Sequence, residues 1–353
     1  MAPTPHEDGQ VTAAQLTALL SRRHPGAVVR SVHVIDETEG SASRLRLRVE
    51  FEPGRGGGLP ERLFLKRNLA DFAFPGEMYA AEAVFYRDVL PELDIEAPRV
   101  YGLSFDEEQL SFAILMEDIG TRPGAHLGIA THPETPDSVA SVLSTLARVH
   151  ARYWASPRLR GDLAWLQSPP EAATVRFWQE IGPKLTRRHL AGGHRAELVD
   201  QRVWDLDRMW RSFARLQEVN ASGPRTLLHG DVHAGNVYYV AGAPGGLLDW
   251  QLMLQGSWAL DVCFLIVTAL DPADRTEHER ELLAGYLSEL GSLGVDPPGR
   301  EEAFERYRQN VLWGIMMWLI TPDGVHSDEV QDLSLLRCCT AGSQLDTLGS
   351  LGP

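Results

Sequence analysis

Histidine, aspartate and asparagine are closely spaced in the segment from His229 to Asn236, and a further aspartate, Asp249, follows thirteen residues later. Between Asn236 and Asp249, an apolar run and a Gly-Ala-Pro-Gly turn predict a β-hairpin, which would bring Asp249 back beside Asn236. Amide and carboxylate oxygens are ligands that suit Mg²⁺. The spacing therefore predicts that Asn236 and Asp249 bind Mg²⁺, while Asp231 accepts a hydrogen bond from a reacting hydroxyl group. The simpler alternative is that these side chains only cap the turn.

Two charged residues upstream support a chemical role for the segment from His229 to Asp249. Lys66 is one of only two lysines, against 31 arginines, and it lies in a predicted strand. Glu82 falls on the same face of a predicted helix as Phe85 and Val89, so it needs a positive partner if it is buried. A strand lysine followed by a helix glutamate is the order in which kinases hold the α- and β-phosphates of a nucleotide. Taken singly, each residue could equally be an ordinary surface charge.

The elements that must position these residues change in character along the chain. Strands are predicted over residues 28–35, 44–51, 62–66 and 111–116, with a glycine-rich hairpin connection at 53–58. Helices are predicted from 77 to 90, from 135 to 153 and over roughly 171–190 and 195–219, before a strand-loop-strand region at 226–250 and a helical C-terminus. The expected fold class is α+β with two lobes, a β-rich N-lobe over residues 1–118 and a mainly helical C-lobe over residues 119–353.

The segments His229–Asn236 and Leu248–Gln251 resemble the aminoglycoside phosphotransferase and choline-kinase-like superfamily, and within it the ecdysteroid-kinase-like branch. Weaker matches to the same superfamily are Glu82–Tyr86, Met116–Asp118, Leu146–Trp154 and Gly256–Asp261, so the resemblance covers roughly residues 28–320. It implies a protein-kinase-like fold and a kinase that uses ATP and Mg²⁺ to phosphorylate a hydroxyl of a small molecule. A protein kinase is disfavoured, since no G-x-G-x-x-G is present and Trp-Gln follows Asp249 in place of Phe-Gly.

Carried over position by position, the resemblance implies four groups of site residues: catalytic Asp231; metal-binding Asn236 and Asp249; nucleotide-binding Ser41, Ser43, Lys66, Glu82, Met116 and Asp118; and loop-bracing His229, His233 and Asp261. Within the nucleotide group, the serines would cover the phosphates, Glu82 would position Lys66, and the connector ending at Asp118 would meet the adenine through its backbone. His233 could instead reach a phosphate.

Composition excludes other classes of protein. The net charge of −15 argues against nucleic acid or an anionic membrane surface as a partner, and no protein partner is implied. Three cysteines form neither a disulfide framework nor a zinc site, and the first ten residues do not read as a signal peptide, so a cytoplasmic enzyme is expected.

The acceptor is the least constrained part of the prediction. All nine tryptophans lie between residues 154 and 318, which would suit a neutral or apolar alcohol, although core packing explains most of them individually. An aminoglycoside or another antibiotic is the main alternative acceptor. The net charges of residues 1–118 and 119–353 are −8 and −7, so the acidic excess does not mark an acceptor lobe. A nucleotide-binding pseudoenzyme is the alternative of another class, and it would require a broken catalytic set.

Overall fold

The computed structural model describes residues 11–38, 42–68, 81–169, 173–200 and 203–352. The chain divides into two compact units, one formed by Met1–Glu92 and Ala97–Ala125 and the other by Leu93–Glu96 and His126–Pro353. Strands dominate the first unit and helices the second, which confirms the predicted α+β class.

The first unit is built around a five-stranded antiparallel sheet of order β1-β2-β3-β5-β4. Its elements are α1 (Ala13–Leu20), β1 (Val29–Thr38), β2 (Ser43–Phe51), β3 (Arg62–Arg67), α2 (described over residues 81–84 and continued by a π-helical turn at Phe85–Val89), β4 (Val100–Asp106) and β5 (Ser111–Glu117). Strand β4 was not predicted, because its side chains are mostly half-buried and do not alternate clearly between apolar and polar.

Alternation explains why β2 is a strand. Leu45, Leu47 and Val49 are buried in one face of the sheet, where they join Leu16 and Leu20 of α1 in a common core. The arginines between them lie on the opposite face, which is more exposed. Full burial of each leucine or valine contributes about 1.5–3 kcal/mol, so this pattern determines the register that places β3 and its lysine in the sheet.

The second unit consists mainly of helices, with three short strand pairings between them. Its elements are β6 (His126–Leu127), α3 (Pro136–Tyr153), α4 (Ala173–Leu190), α5 (His194–Leu198), α6 (Leu206–Ala221), β7 (Thr226–Leu228), β8 (Val237–Tyr239), β9 (Gly246–Leu247), β10 (Leu254–Gly256), α7 (Ala259–Ala269), α8 (Pro272–Ser292), α9 (Arg300–Ile320), α10 (Asp328–Gln344) and α11 (Thr347–Ser350).

The single helix predicted over residues 195–219 is wrong, because two helices occupy this stretch. Helix α5 ends where Val199 takes an extended conformation. Asp205 then begins α6 as its N-cap, with its side chain accepting a hydrogen bond of 2.8 Å from the Arg208 amide. A capping aspartate satisfies backbone donors that would otherwise lack partners, so it favours a new helix start.

Helix α7 forms the centre of the second unit. Every residue from Ala259 to Ala269 is buried, and all but Asp261 and Thr268 are apolar. A helix that is apolar on all sides belongs in a core, so the carboxylate of Asp261 must have partners inside the protein. In the part of the chain that the structure describes, no helix is both long and apolar enough to span a lipid bilayer.

Candidate active site

The loop between β7 and β8 carries the predicted catalytic residues, and the hairpin after it returns the chain to them. Strands β8 and β9 pair antiparallel with Val237 opposite Leu247. The Leu248 amide then donates a hydrogen bond of 2.8 Å to the carbonyl of Asn236. This register confirms the predicted hairpin and places Asp249 beside the end of the loop.

Asn236 holds Asp231 through two hydrogen bonds. Its Nδ2 donates to the Asp231 carbonyl at 2.9 Å and to the carboxylate Oδ2 at 3.1 Å. Loss of hydration is the main cause that raises the pKa of Asp231 to about 6, the nearby charge of Asp249 contributes to this rise, and His229 opposes it. A carboxylate with a raised pKa accepts protons more readily, which suits a group that takes a hydrogen bond from a reacting hydroxyl.

This shift predicts that the metal-free protein loses stability as the pH rises. Asp231 binds its proton more tightly in the folded state than in the unfolded state, where the ordinary value is 3.8. The destabilisation therefore develops between about pH 4 and pH 6 and is complete above pH 6. With EDTA present, Asp231→Asn should be about 3 kcal/mol more stable than the wild type at pH 8 and nearly equally stable at pH 4. Urea unfolding at the two pH values measures the difference, and an equal difference at both would contradict the assignment.

Asp249 has an unusual backbone conformation for a residue other than glycine, with φ of 63° and ψ of 65°. A left-handed conformation costs such a residue roughly 1–3 kcal/mol and persists only where the surroundings impose it. Strand β9 precedes it, and the buried Trp250 begins a short 3₁₀ turn directly after it. The strain therefore indicates that the surrounding structure imposes this backbone conformation, which sets the direction of the Asp249 side chain.

The donor set at this point fits Mg²⁺. Asn236 uses its amide nitrogen on Asp231, which leaves the amide oxygen as its ligand atom, and Asp249 supplies a carboxylate. Mg²⁺ keeps several water ligands and binds through one or two protein groups together with phosphate oxygens. Within the described ranges, no group of three or more His, Cys, Asp or Glu residues could hold a metal ion by itself. One amide and one carboxylate therefore suit a metal that arrives with a nucleotide.

Asp261 supports the loop between β7 and β8 from within α7. Its carboxylate is fully buried and accepts hydrogen bonds from the amides of His229 at 2.7 Å and Gly230 at 2.9 Å. The imidazole Nε2 of His150 lies 3.2 Å from the same carboxylate. Buried carboxylates persist where several donors surround them, so Asp261 fixes the backbone immediately before Asp231.

His229 connects the loop to the end of β9. Its Nε2 donates to the Leu248 carbonyl at 2.8 Å, and its Nδ1 accepts from the Asp231 amide at 3.3 Å. Burial lowers the pKa of His229, so the ring is neutral and carries its proton on Nε2. Its ring centroid is 4.5 Å from that of Trp250. The imidazole thus connects the loop that carries Asp231 to the segment after β9 that carries Asp249.

His233 braces the turn that follows Asp231. Its Nδ1 accepts a hydrogen bond of 3.1 Å from the Gly235 amide, so a neutral ring carries its proton on Nε2, which is 3.9 Å from the Asp231 carboxylate. Burial lowers the pKa of His233 to about 4. The ring is therefore uncharged at neutral pH, and it borders the Asp231 carboxylate without neutralising its charge.

Sequence reasoning missed His150 and Tyr286. His150 lies four residues after Leu146 on the buried face of α3, and its Nδ1 is 2.7 Å from the Tyr286 hydroxyl of α8. The sequence signals for His150 are its place in the family-like segment Leu146–Trp154 and its position on an apolar stripe, where a histidine needs a polar partner. Tyr286 also lines a cavity of about 720 Å³ between α3 and α8 that is bordered by Asp137, Asp274 and Glu281. Tyr286 thus connects this cavity to the loop through its contact with His150, which in turn contacts Asp261.

In the first unit, Lys66 and Glu82 form a buried ion pair with a 2.5 Å separation between Nζ and Oε2. Their side chains are 5% and 3% exposed. The lysine comes from β3 and the glutamate from α2, as the sequence analysis expects. Breaking such a pair would leave an uncompensated buried charge, so each residue fixes the position of the other.

The other predicted nucleotide-binding residues lie around the same sheet, except Ser41, which is outside the described residues. The buried Ser43 hydroxyl donates to Glu37 at 3.1 Å. Met116 is buried in β5, opposite Phe64 of β3. Asp118 caps a short 3₁₀ turn and lies 3.6 Å from Arg46 and 3.7 Å from Arg62. Its carboxylate is thus engaged within the first unit.

Gly230 provides a test of how tightly the loop is packed. Its φ is +84°, and a Cβ atom there would lie 2.1 Å from the Leu252 carbonyl oxygen. Gly242 has a similar φ of +79° but has nothing within 4 Å of the same position. Gly242→Ala should therefore cost only the strain of about 1–2 kcal/mol, whereas Gly230→Ala should cost roughly 3 kcal/mol or more, as overpacking adds to strain. Equal unfolding midpoints in urea would contradict this packing.

Comparison with known proteins identifies a family whose model matches most of the chain. Residues 22–302 match the model of the phosphotransferase enzyme family, APH. No curated protein matches the sequence.

Among solved structures, the ethanolamine kinase of Plasmodium vivax has a TM-score of 0.55 at 10% sequence identity. The alignment covers 93% of this chain and 87% of the ethanolamine kinase chain. Spectinomycin phosphotransferase APH(9)-Ia, in complex with ADP and spectinomycin, has a TM-score of 0.54 at 13% sequence identity. The alignment covers 96% of this chain and 99% of the phosphotransferase chain. APH(2″)-IIIa, in complex with GDP and kanamycin, has a TM-score of 0.50 at 13% sequence identity. The alignment covers 86% of this chain and 89% of the APH(2″)-IIIa chain.

These similarities confirm the protein-kinase-like α+β fold, while the ecdysteroid-kinase-like branch stays a prediction. The family match covers most of the chain, including the Lys66–Glu82 pair, the catalytic loop and Asp261. The chain belongs to the phosphotransferase enzyme family.

Proposed function

We propose that this protein is an ATP-dependent kinase that transfers the γ-phosphoryl group to a hydroxyl of a neutral or apolar small molecule. The observation that carries the proposal is the arrangement around Asp231, whose carboxylate Asn236 holds at 3.1 Å while the β8–β9 hairpin brings Asp249 alongside. In this scheme, residues 1–118 bind the nucleotide and residues 119–353 bind the acceptor.

Each residue has a distinct part in the reaction. Asp231 accepts a hydrogen bond from the acceptor hydroxyl and orients its oxygen toward the γ-phosphorus. The new bond forms between these two atoms, the bond from the γ-phosphorus to the bridging oxygen of ADP breaks, and the hydroxyl proton passes by way of Asp231 to solvent. Lys66, positioned by Glu82, holds the nucleotide phosphates. When bound by Asn236 and Asp249, Mg²⁺ would neutralise phosphate charge.

The alternatives differ in the acceptor or in whether transfer occurs. Two similar structures were solved with spectinomycin and with kanamycin, which keeps an antibiotic acceptor as the second candidate. A nucleotide-binding pseudoenzyme is disfavoured, because Lys66, Asp231, Asn236 and Asp249 are all present.

A mass-spectrometric screen tests the proposal. Wild type and Asp231→Asn are incubated with Mg-ATP and a panel of aminoglycosides, macrolides, sterols, nucleosides and simple alcohols. We expect a phosphorylated product with the wild type only, and its identity distinguishes a neutral from a cationic acceptor. A product that forms equally with Asp231→Asn would contradict the mechanism. Nucleotide binding without any product, and without ATP hydrolysis that depends on Asp231, would favour the pseudoenzyme.

A further inference from the structure

Three aromatic side chains form a continuous cluster beside Asp231. His233 lies against the catalytic carboxylate, and its ring centroid is 5.7 Å from that of Trp318 and 6.2 Å from that of His326. The Trp318 and His326 rings are 5.3 Å apart. Trp318 lies near the end of α9, and His326 belongs to the segment between α9 and α10. Separate elements thus bring three rings together next to the reacting group.

The members of this cluster differ in exposure. Trp318 is 3% exposed, while His326 is half-buried, so the imidazole is the part of the cluster that a small molecule can reach. The Trp318 indole nitrogen is buried and makes no hydrogen bond to a described residue.

Most of the carboxylates along the same segment already lie close to basic side chains. Three of them flank His326 in the sequence, and their partners lie on α4 and α5: Asp323 is 3.2 Å from Arg195 and 3.3 Å from Arg188, Asp328 is 3.7 Å from His194, and Asp332 also contacts His194. A cationic acceptor would have to compete with these basic groups for Asp323, Asp328 or Asp332. A neutral acceptor needs no such exchange, because the rings beside Asp231 offer apolar faces and a few polar atoms, as small-molecule sites do.

We propose that His326 and Trp318 form the acceptor-binding wall of the site and select neutral alcohols that carry a flat apolar or aromatic ring. This inference rests on the proposed kinase function. The ring of the acceptor packs against His326, and its hydroxyl extends past His233 to Asp231. His326 is the specificity-determining residue, because it is the accessible member of the wall and the position at which a new charge would meet the acceptor.

Binding of two matched probes to the full-length protein with Mg-ADP tests the proposal. The neutral probe is para-methylphenethyl alcohol, and the cationic probe is para-(aminomethyl)phenethyl alcohol, which has nearly the same shape. We expect the wild type to bind the neutral probe more tightly in a saturation-transfer NMR titration. A ring contact contributes about 0.5–1.5 kcal/mol, so His326→Ala should weaken the neutral probe roughly three- to tenfold. His326→Phe, which keeps the ring, should stay within about twofold of the wild type.

A change of charge makes the test more specific. His326→Asp places an unpaired carboxylate on the wall, and we expect it to bind the cationic probe more tightly than the neutral one. His278→Ala, which removes a half-buried histidine of α8, serves as the matched control and should change neither affinity. A wild type that binds neither probe, or a His326→Ala variant with unchanged affinity for the neutral probe, would overturn the inference.

The two proposals can fail separately. Selective binding of the neutral probe without phosphoryl transfer to any acceptor would contradict the kinase function and retain the wall. Transfer to an acceptor whose KM does not respond to His326→Ala would contradict the wall and retain the kinase function.

Discussion

Asp231→Asn is expected to lower kcat by about 10²–10⁴-fold, the range over which a positioned proton acceptor contributes to catalysis. The substitution keeps the size of the side chain and an oxygen that can accept from Asn236 Nδ2, which is 3.1 Å away. It removes the charge that orients and activates the acceptor hydroxyl. Affinity for Mg-nucleotide should therefore stay within a few-fold of the wild type, as measured by titration calorimetry beside steady-state kinetics.

Asp249→Asn provides the contrast. Asp249 is assigned to the metal, so loss of its carboxylate should weaken Mg-nucleotide binding as well as lower turnover. Its left-handed backbone is tolerated by asparagine nearly as well as by aspartate, so the substitution leaves the local fold in place. If both variants reduced turnover mildly and to the same extent, the separate roles of the two aspartates would be wrong.

Asp261→Ala is expected to destabilise the protein by about 3–5 kcal/mol, the cost of removing one partner from a buried charged network. The carboxylate is fully buried and accepts from the His229 and Gly230 amides and from His150. All three donors would lose their acceptor inside the core, where water cannot replace it. Chemical denaturation measures the loss, and activity should fall with it because the loop before Asp231 is no longer held.

Two further variants show whether the loss of stability comes from the buried carboxylate of Asp261. Asp207→Ala removes a side chain that is 76% exposed and should change stability by no more than about 0.5–1 kcal/mol. Asp261→Asn keeps the volume but presents an amide with one acceptor oxygen to several donors, so its stability should be intermediate. An Asp261→Ala protein as stable as the Asp207→Ala control would show that the carboxylate does not support the loop.

Local patterns in the sequence were sufficient for much of the fold. The alternation of β2, the β8–β9 hairpin and the change from strands to helices depend on neighbours within a few residues, and all three predictions are confirmed. The Lys66–Glu82 contact could also be anticipated, because a carboxylate on the buried face of a helix needs a cation. The split between α5 and α6 was missed because the capping role of Asp205 competes with a helical periodicity on both sides of it.

Sequence by itself determined the β8–β9 hairpin that returns Asp249 to the neighbourhood of Asn236. A turn and a hairpin are short-range structures, because their residues are close along the chain. Only the tertiary structure decided what supports the loop. His150 reaches Asp261 across 111 residues and Tyr286 across 136. The ring cluster of His233, Trp318 and His326 likewise joins distant segments. Such contacts leave no periodic signal, since they form only when packing of the apolar helices brings isolated polar and aromatic side chains together in the core.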